Sequence, residues 1–167
     1  MEDMRIFVVN LGKYNEGKET GRWFTVPVDF DVVKKELGLN DNDYAIHDYE
    51  LPFDISEYTS IEEVNRLAGF VREVIDAGIA ENDIKELCRV LDDGIKELAE
   101  KAEDIILFSG AEDMGDVAHQ VVEEGGGVGN LPSEEIALYF DYDAKGRDMA
   151  INGCYVFTGN GIYSIPK

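Results

Sequence analysis

Apolar residues fall at strand-like spacing toward both ends of the chain and at helix-like spacing through its middle. Met4–Asn10 (MRIFVVN) is apolar and β-branched, and predicts a strand. Asn15-Glu16-Gly17 predicts a turn, and Trp23–Val28 a second strand. Asp29 or Asp31 can cap a short helix that runs to Leu37 and is closed by Gly38. Tyr44–Leu51 predicts a third strand, ended by Pro52. Ser60 and Glu63 form a capping-box pattern at the head of a longer helix. Ile61, Val64, Leu67, Ala68, Val71 and Ile75 recur along it at helical spacing, and Gly78 ends it. Ile84, Leu87, Leu91, Ile95 and Leu98 predict one more amphipathic helix, to about Lys101.

Ile105–Phe108 predicts a brief strand. Glu112–Glu124 predicts a helix with Val117, Val121 and Val122 inward, stopping at Gly125-Gly126-Gly127. Pro132-Ser133-Glu134-Glu135 predicts a helix start that carries Ile136–Tyr142. Met149–Phe157 and Gly161–Ile165 predict two strands around a Gly-Asn-Gly turn. The fold class expected is therefore α+β, with two mixed ends around a helical middle. The domains expected are 1–59, 60–103 and 104–167.

Charge changes the picture. The chain has 167 residues, with 36 acids against 15 bases and a net charge of −21. The apolar fraction of 44% still allows a core, so the charge does not imply disorder. Nor is the charge an acidic tail. Residues 1–60 carry 13 acids and 6 bases, residues 61–103 carry 12 and 6, and residues 104–167 carry 11 and 3. Two windows have no Lys or Arg: 36–65 with nine acids, and 102–144 with eleven.

In the helices at 60–101 the acids look self-paired. Glu62–Arg66, Glu81–Lys85, Asp92–Lys96 and Glu97–Lys101 are i,i+4 pairs with the acid first, the stabilising order. The base-free windows offer no such local partners. Asp41, Asp43, Asp48, Glu50, Asp54 and Glu57 are expected to form one part of a surface for a cationic partner. Glu112, Asp113, Asp116, Glu123, Glu124, Glu134, Glu135, Asp141 and Asp143 are expected to form another.

Catalytic and metal-binding patterns are weak. His47 and His119 stand in no recognisable catalytic motif. An EF-hand loop starting at Asp41 would need Gly where Ile46 sits and Glu where Pro52 sits. Gly125–Gly129 lacks the Lys-Ser/Thr of a phosphate-binding loop and follows a helix. Cys88 and Cys154 read as core thiols. No catalytic residue, cofactor or metal is expected. No stretch approaches the ~20 apolar residues of a membrane span, and no signal peptide is apparent, so a cytoplasmic protein is expected. Direct nucleic-acid binding is opposed by the sign of the charge.

The magnitude suits imitation of nucleic acid instead. Duplex DNA carries one charge per ~1.7 Å, so the net charge matches ~36 Å of duplex. A globule of this length spans ~40 Å. Other readings are a generic acidic surface for solubility, or a carboxylate-cluster metal-binding module.

Several motifs resemble the ArdA antirestriction proteins. They are Leu11-Gly-Lys-Tyr-Asn-Glu-Gly17, Trp23-Phe24-Thr25 leading to Asp29-Phe30, Gly38-Leu39-Asn40-Asp41 and Tyr44-Ala-Ile-His-Asp-Tyr-Glu-Leu-Pro-Phe53. Tyr58-Thr-Ser-Ile61, Asn65-Arg66-Leu67, Glu103-Asp104-Ile105-Ile106, Asp113-Met114, Asp116-Val117-Ala118, and Tyr142 with Gly146-Arg147-Asp148 continue the likeness. The least familiar parts are about 69–101 and 125–129. The resemblance implies an elongated, non-enzymatic protein of about three small domains, paired into a curved homodimer whose acids follow bent B-form DNA. It implies type I restriction–modification enzymes as the target, blocked at their methyltransferase core, and carriage on plasmids and transposons. Motif acids fall on Asp41, Asp48, Glu50, Asp104, Asp113, Asp116 and Asp148. Ile105, Ile106, Leu107 and Phe108 are the expected dimer contact.

Overall fold

The computed structural model describes residues 4–14, 21–39, 43–126 and 138–167. By backbone proximity the chain divides into two compact units, Met1–Glu100 and Lys101–Lys167.

The first unit opens with β1 (Arg5–Asn10), a short helix α1 (Leu11–Tyr14), β2 (Gly21–Thr25), α2 (Phe30–Leu37) and β3 (Tyr44–Glu50). The strands form an antiparallel sheet in the order β2-β1-β3. Ile6, Val8 and Phe24 put alternate apolar positions of β1 and β2 inside, and the adjacent Ala45 and Ile46 of β3 are both buried. β2 is shorter than the sequence suggests. Pro27 has no N–H for a ladder, and the last main-chain bond on this side runs from Val26 N to Met4 O at 2.8 Å. Asp29, not Asp31, caps α2: its carboxylate accepts the Asp31 N–H, and Gly38 closes the helix at φ 64°.

α3 (Ile61–Asp76) starts at Ser60, whose hydroxyl accepts the Glu63 N–H at 3.1 Å. The Glu63 carboxylate itself pairs with Arg66. Ile61, Val64, Ala68, Val71 and Val74 make the buried stripe. Asn65 ties the helix to the chain after β2, accepting the Val28 N–H at 2.7 Å and donating to the Val28 carbonyl at 2.8 Å.

The single helix expected over 84–101 is two. A 3-10 turn (Glu81–Asp83) leads into α4 (Ile84–Cys88), and α5 (Ile95–Lys101) follows a turn. Gly94 sits between them at φ 53°, left-handed backbone that an interior helical residue does not adopt. The apolar spacing runs on across the break because Ile84, Leu87, Ile95 and Leu98 all reach the interior. Each such side chain contributes about 1.5–3 kcal/mol by its burial.

The second unit contains β4 (Ile106–Ser109), α6 (Met114–Glu124), α7 (Tyr142–Asn152), β5 (Cys154–Thr158) and β6 (Gly161–Ile165). Its sheet is antiparallel in the order β4-β6-β5, with Gly159-Asn160 as the hairpin turn. Phe108, Ala111, Val117 and Ile162 form the core, with Met114, Met149 and Tyr155 packed on it. Val117 and Ala118 are buried, but Val121, expected inward, is exposed.

Two expectations fail here. The strand expected over Met149–Phe157 begins only at Cys154, because residues to Asn152 belong to α7. Asp141 caps that helix, accepting the Ala144 N–H at 2.8 Å, so Tyr142 opens α7 instead of ending an earlier element. The turn at Asn15–Gly17, the helix start at 132–135, Gly127 and Gly129 lie outside the described residues.

A candidate cation-binding surface

Among the described residues, fourteen of the expected surface acids can be placed, and all fourteen are exposed. Asp41, Glu134 and Glu135 lie outside the described residues. Asp83, which the sequence reading did not single out, is the buried acid among the described residues.

In the first unit, Asp43, Asp48 and Glu50 stand before and along β3, and Asp54 and Glu57 follow it. Two of these are not without partners, contrary to the expectation for this window. Arg5 on β1 donates to the Glu50 carboxylate, its Nε–Oε2 distance being 2.8 Å. Lys85 on α4 lies 3.3 Å from Asp54, which also accepts the Tyr49 hydroxyl at 3.1 Å. The Lys85 ammonium holds the Asp54 carboxyl below its ordinary value of 3.8; burial opposes it, and the Tyr49 hydroxyl adds to the lowering. Farther along, Glu57 pushes the Tyr58 phenol up, by hydrogen bonding and by its charge.

A lowered folded-state pKa contributes stability that is present above the unfolded value and lost as pH falls through the folded one. Both partners are largely exposed, so the contribution is small. Lys85→Met should raise the Asp54 midpoint toward 3.8 in a carboxyl NMR titration. An unmoved midpoint would remove Lys85 as the cause.

Arg66 and Lys96 have acid partners other than the expected Glu62 and Asp92. Arg66 pairs with Glu63 at i,i+3, and Lys96 lies 3.6 Å from Asp93 and 4.0 Å from Glu100. Cys88 and Cys154 are half-buried and unbridged. Burial, and secondarily the Asp54 charge, pushes the Cys88 thiol up to about 11, which suits a structural and unreactive thiol.

In the second unit, the acids gather at helix starts. Asp113 caps α6 by accepting the Asp116 N–H at 3.0 Å, and Asp116 reaches back to the Glu112 N–H at 2.9 Å. Asp141 caps α7. A side chain added at Gly115 would meet both Asp113 and Asp143, so the two helix starts lie side by side. The partial positive charge of a helix N-terminus stabilises nearby carboxylates. Backbone N–H groups therefore serve as partners for these carboxylates, and Asp113, Asp116, Asp141 and Asp143 gather at the two helix starts. Glu123 and Glu124 end α6, Asp148 lies on α7, and Asp104 lies before β4. His119 on α6 packs against the Tyr142 ring, with centroids 4.8 Å apart and planes tilted by 51°.

The expected dimer segment separates into inner and outer residues. Phe108 is 5% exposed and belongs to the core, Ile105 is half-buried, and Ile106 and Leu107 are 55% and 37% exposed. β4 is an edge strand of its sheet.

The antirestriction protein (ArdA) family model matches residues 6–164. The chain belongs to the ArdA family. Members of this family inhibit restriction rather than catalyse a reaction, and restriction enzymes are their targets. None of the curated proteins compared with the chain matches it. Among the described residues, no helix is long and apolar enough to cross a membrane. No group of three or more His, Cys, Asp or Glu side chains among them is arranged to hold a metal ion.

What the sequence did not single out is the aromatic pair beside these acids. Phe7 and Trp23 lie with ring centroids 5.5 Å apart, and the Arg5 guanidinium sits 5.4 Å from the Trp23 ring. Cross-strand register brings them together, and no local pattern in the sequence reports it.

Proposed function

We propose that this ArdA protein is a DNA mimic: it occupies the DNA-binding groove of a type I restriction–modification enzyme at the methyltransferase core and excludes DNA from it. The observation that carries this reading is the uniform exposure of the described candidate acids, in a chain with a net charge of −21. A groove that binds duplex is lined with Lys and Arg, and it gains the same electrostatic free energy from carboxylates at comparable density. Carboxylates one helical turn apart stand ~5 Å apart, on the scale of neighbouring phosphates.

In this reading the chain acts as a curved homodimer in the cytoplasm, encoded on mobile elements. Its proposed domains are an α+β part (1–59), a helical part (60–103) and a second α+β part (104–167). The exposed Ile106 and Leu107 on edge strand β4 are the proposed dimer contact. Edge strands present unpaired backbone groups to a second chain.

The mechanism requires that inhibition be competitive. Raising the concentration of unmodified DNA should restore methyltransferase activity fully at a fixed inhibitor concentration. Inhibition that persists at saturating DNA would contradict groove occupancy.

A further inference from the structure

The outer face of the first sheet carries two adjacent cross-strand rows. Trp23, Phe7 and Asp48 are register partners in one, and Thr25, Arg5 and Glu50 in the next. Direct partners project to the same side, so these side chains share one face. Trp23 is 40% exposed, and Arg5, Asp48 and Glu50 are exposed as well.

Arg5 displays how a guanidinium is held there. It lies 5.4 Å from the centroid of the Trp23 ring while its Nε donates to Glu50 at 2.8 Å. Asp48, whose carboxylate accepts the Tyr49 N–H at 2.8 Å, stands in the neighbouring row as a further acceptor.

We propose that this face is an arginine-accepting subsite, in which an arginine of the basic partner protein exchanges with Arg5 on Trp23 and Glu50. The inference rests on the acidic-surface reading above and adds to it the identity of the side chain received. Several physical points favour arginine. The Arg5–Glu50 pair is half-exposed on both sides, so such a pair holds weakly and is open to exchange. A planar guanidinium is weakly hydrated and stacks on an indole, whereas a lysine ammonium is compact and strongly hydrated. A hard divalent cation would draw nothing from the Trp23–Phe7 platform, since it takes oxygen ligands. The sign of the surrounding charge opposes a phosphate. Stacking also survives added salt better than exposed ion pairing does, so the subsite gives the acidic surface a contact that salt screens little.

The test compares hexa-arginine with hexa-lysine, peptides of equal charge, by calorimetry and by the emission of Trp23, the one tryptophan in the chain. The arginine peptide should bind about two- to five-fold more tightly, the ratio expected of an exposed cation–π contact, and should alter Trp23 emission. Trp23→Leu should abolish that preference while hexa-lysine affinity stays within about twofold, and Trp23→Phe should restore part of it. Arg5→Gln makes the surface more negative toward both peptides, so only the ratio is informative, and it should widen. Equal affinities in the unmodified protein, or a preference that survives Trp23→Leu, would overturn the subsite. Should Trp23→Leu not fold, a ratio that fails to widen in Arg5→Gln would overturn it equally. Those results, with both peptides still bound in a salt-dependent way, leave the acidic-surface reading standing. Failure of either peptide to bind at low salt would overturn the acidic-surface reading together with the subsite.

Discussion

Gly146→Ala should unfold the second unit or bring it close to unfolding. Gly146 is buried on α7 where that helix crosses the start of α6. An alanine Cβ would lie 2.3 Å from the Met114 carbonyl oxygen, 2.5 Å from the Met114 carbonyl carbon and 2.8 Å from the Gly115 nitrogen. These are backbone atoms in the first turn of α6, so no side-chain rotation relieves the clash. Separating the helices would also loosen Val117, Met114 and Met149, which pack together in the core of this unit. Overpacking of a well-filled core costs about 1–3 kcal/mol, and a rigid backbone obstacle puts this site at the upper end or beyond it. Thermal denaturation should show a large fall in midpoint or no cooperative transition. Alanine at Gly69, where nothing lies within 4 Å, should be neutral or mildly stabilising by helix propensity.

The second large effect concerns the acids, and it separates two roles that charge counting alone merges. Asp113, Asp116 and Asp141 are bonded to N–H groups at the helix starts, so truncating them removes these capping bonds. Asn substitution keeps most of the capping ability, whereas Ala should cost about 1 kcal/mol of stability at each cap. Glu112, Glu123, Glu124 and Asp148 are exposed and form none of these helix-start caps. Reversing these four together to Lys should relieve self-repulsion and leave the thermal midpoint unchanged or raised. Binding to the target groove should nonetheless fall. At roughly 0.5 kcal/mol per reversed exposed charge, the set should weaken it about 30-fold in small, nearly additive steps. If one of the four carried the whole loss, with the others silent, the surface would act through a local hot spot instead of distributed charge.

The sequence disclosed those parts of the fold that depend on local signals. Ser60 and the periodic apolar run behind it fixed the start of α3, and Asp29 with Gly38 bracketed α2, because caps and amphipathic spacing act within a few residues. Ile84 to Leu98 misled because an apolar spacing of three and four continues through a turn, and the sign of φ at Gly94 leaves no trace in that spacing. Met149–Asn152 misled for the opposite reason. Its apolar residues suit a strand, but the Asp141 cap and the close approach at Gly146 draw them into α7.

The candidate surface was legible in the same uneven way. That acids in base-free windows face outward follows from the cost of burying charge. Their partners did not follow, since Arg5 meets Glu50 and Lys85 meets Asp54 only through tertiary placement. The caps at Asp113 and Asp141 were within reach of a local reading, because an acid three residues ahead of a helical N–H is a capping signal. Trp23 beside Arg5 and Phe7 was not, for strand register alone aligns them.

Equilibrium binding to a DNA-free type I methyltransferase core, followed by displacement of a labelled cognate duplex at about 50 mM and 200 mM salt, tests the central claim most directly. The account predicts full displacement of the duplex, no ternary complex with it, and an affinity that falls at least tenfold between the two salt concentrations. A stable complex holding protein, enzyme and duplex together, or an affinity indifferent to salt, would contradict it.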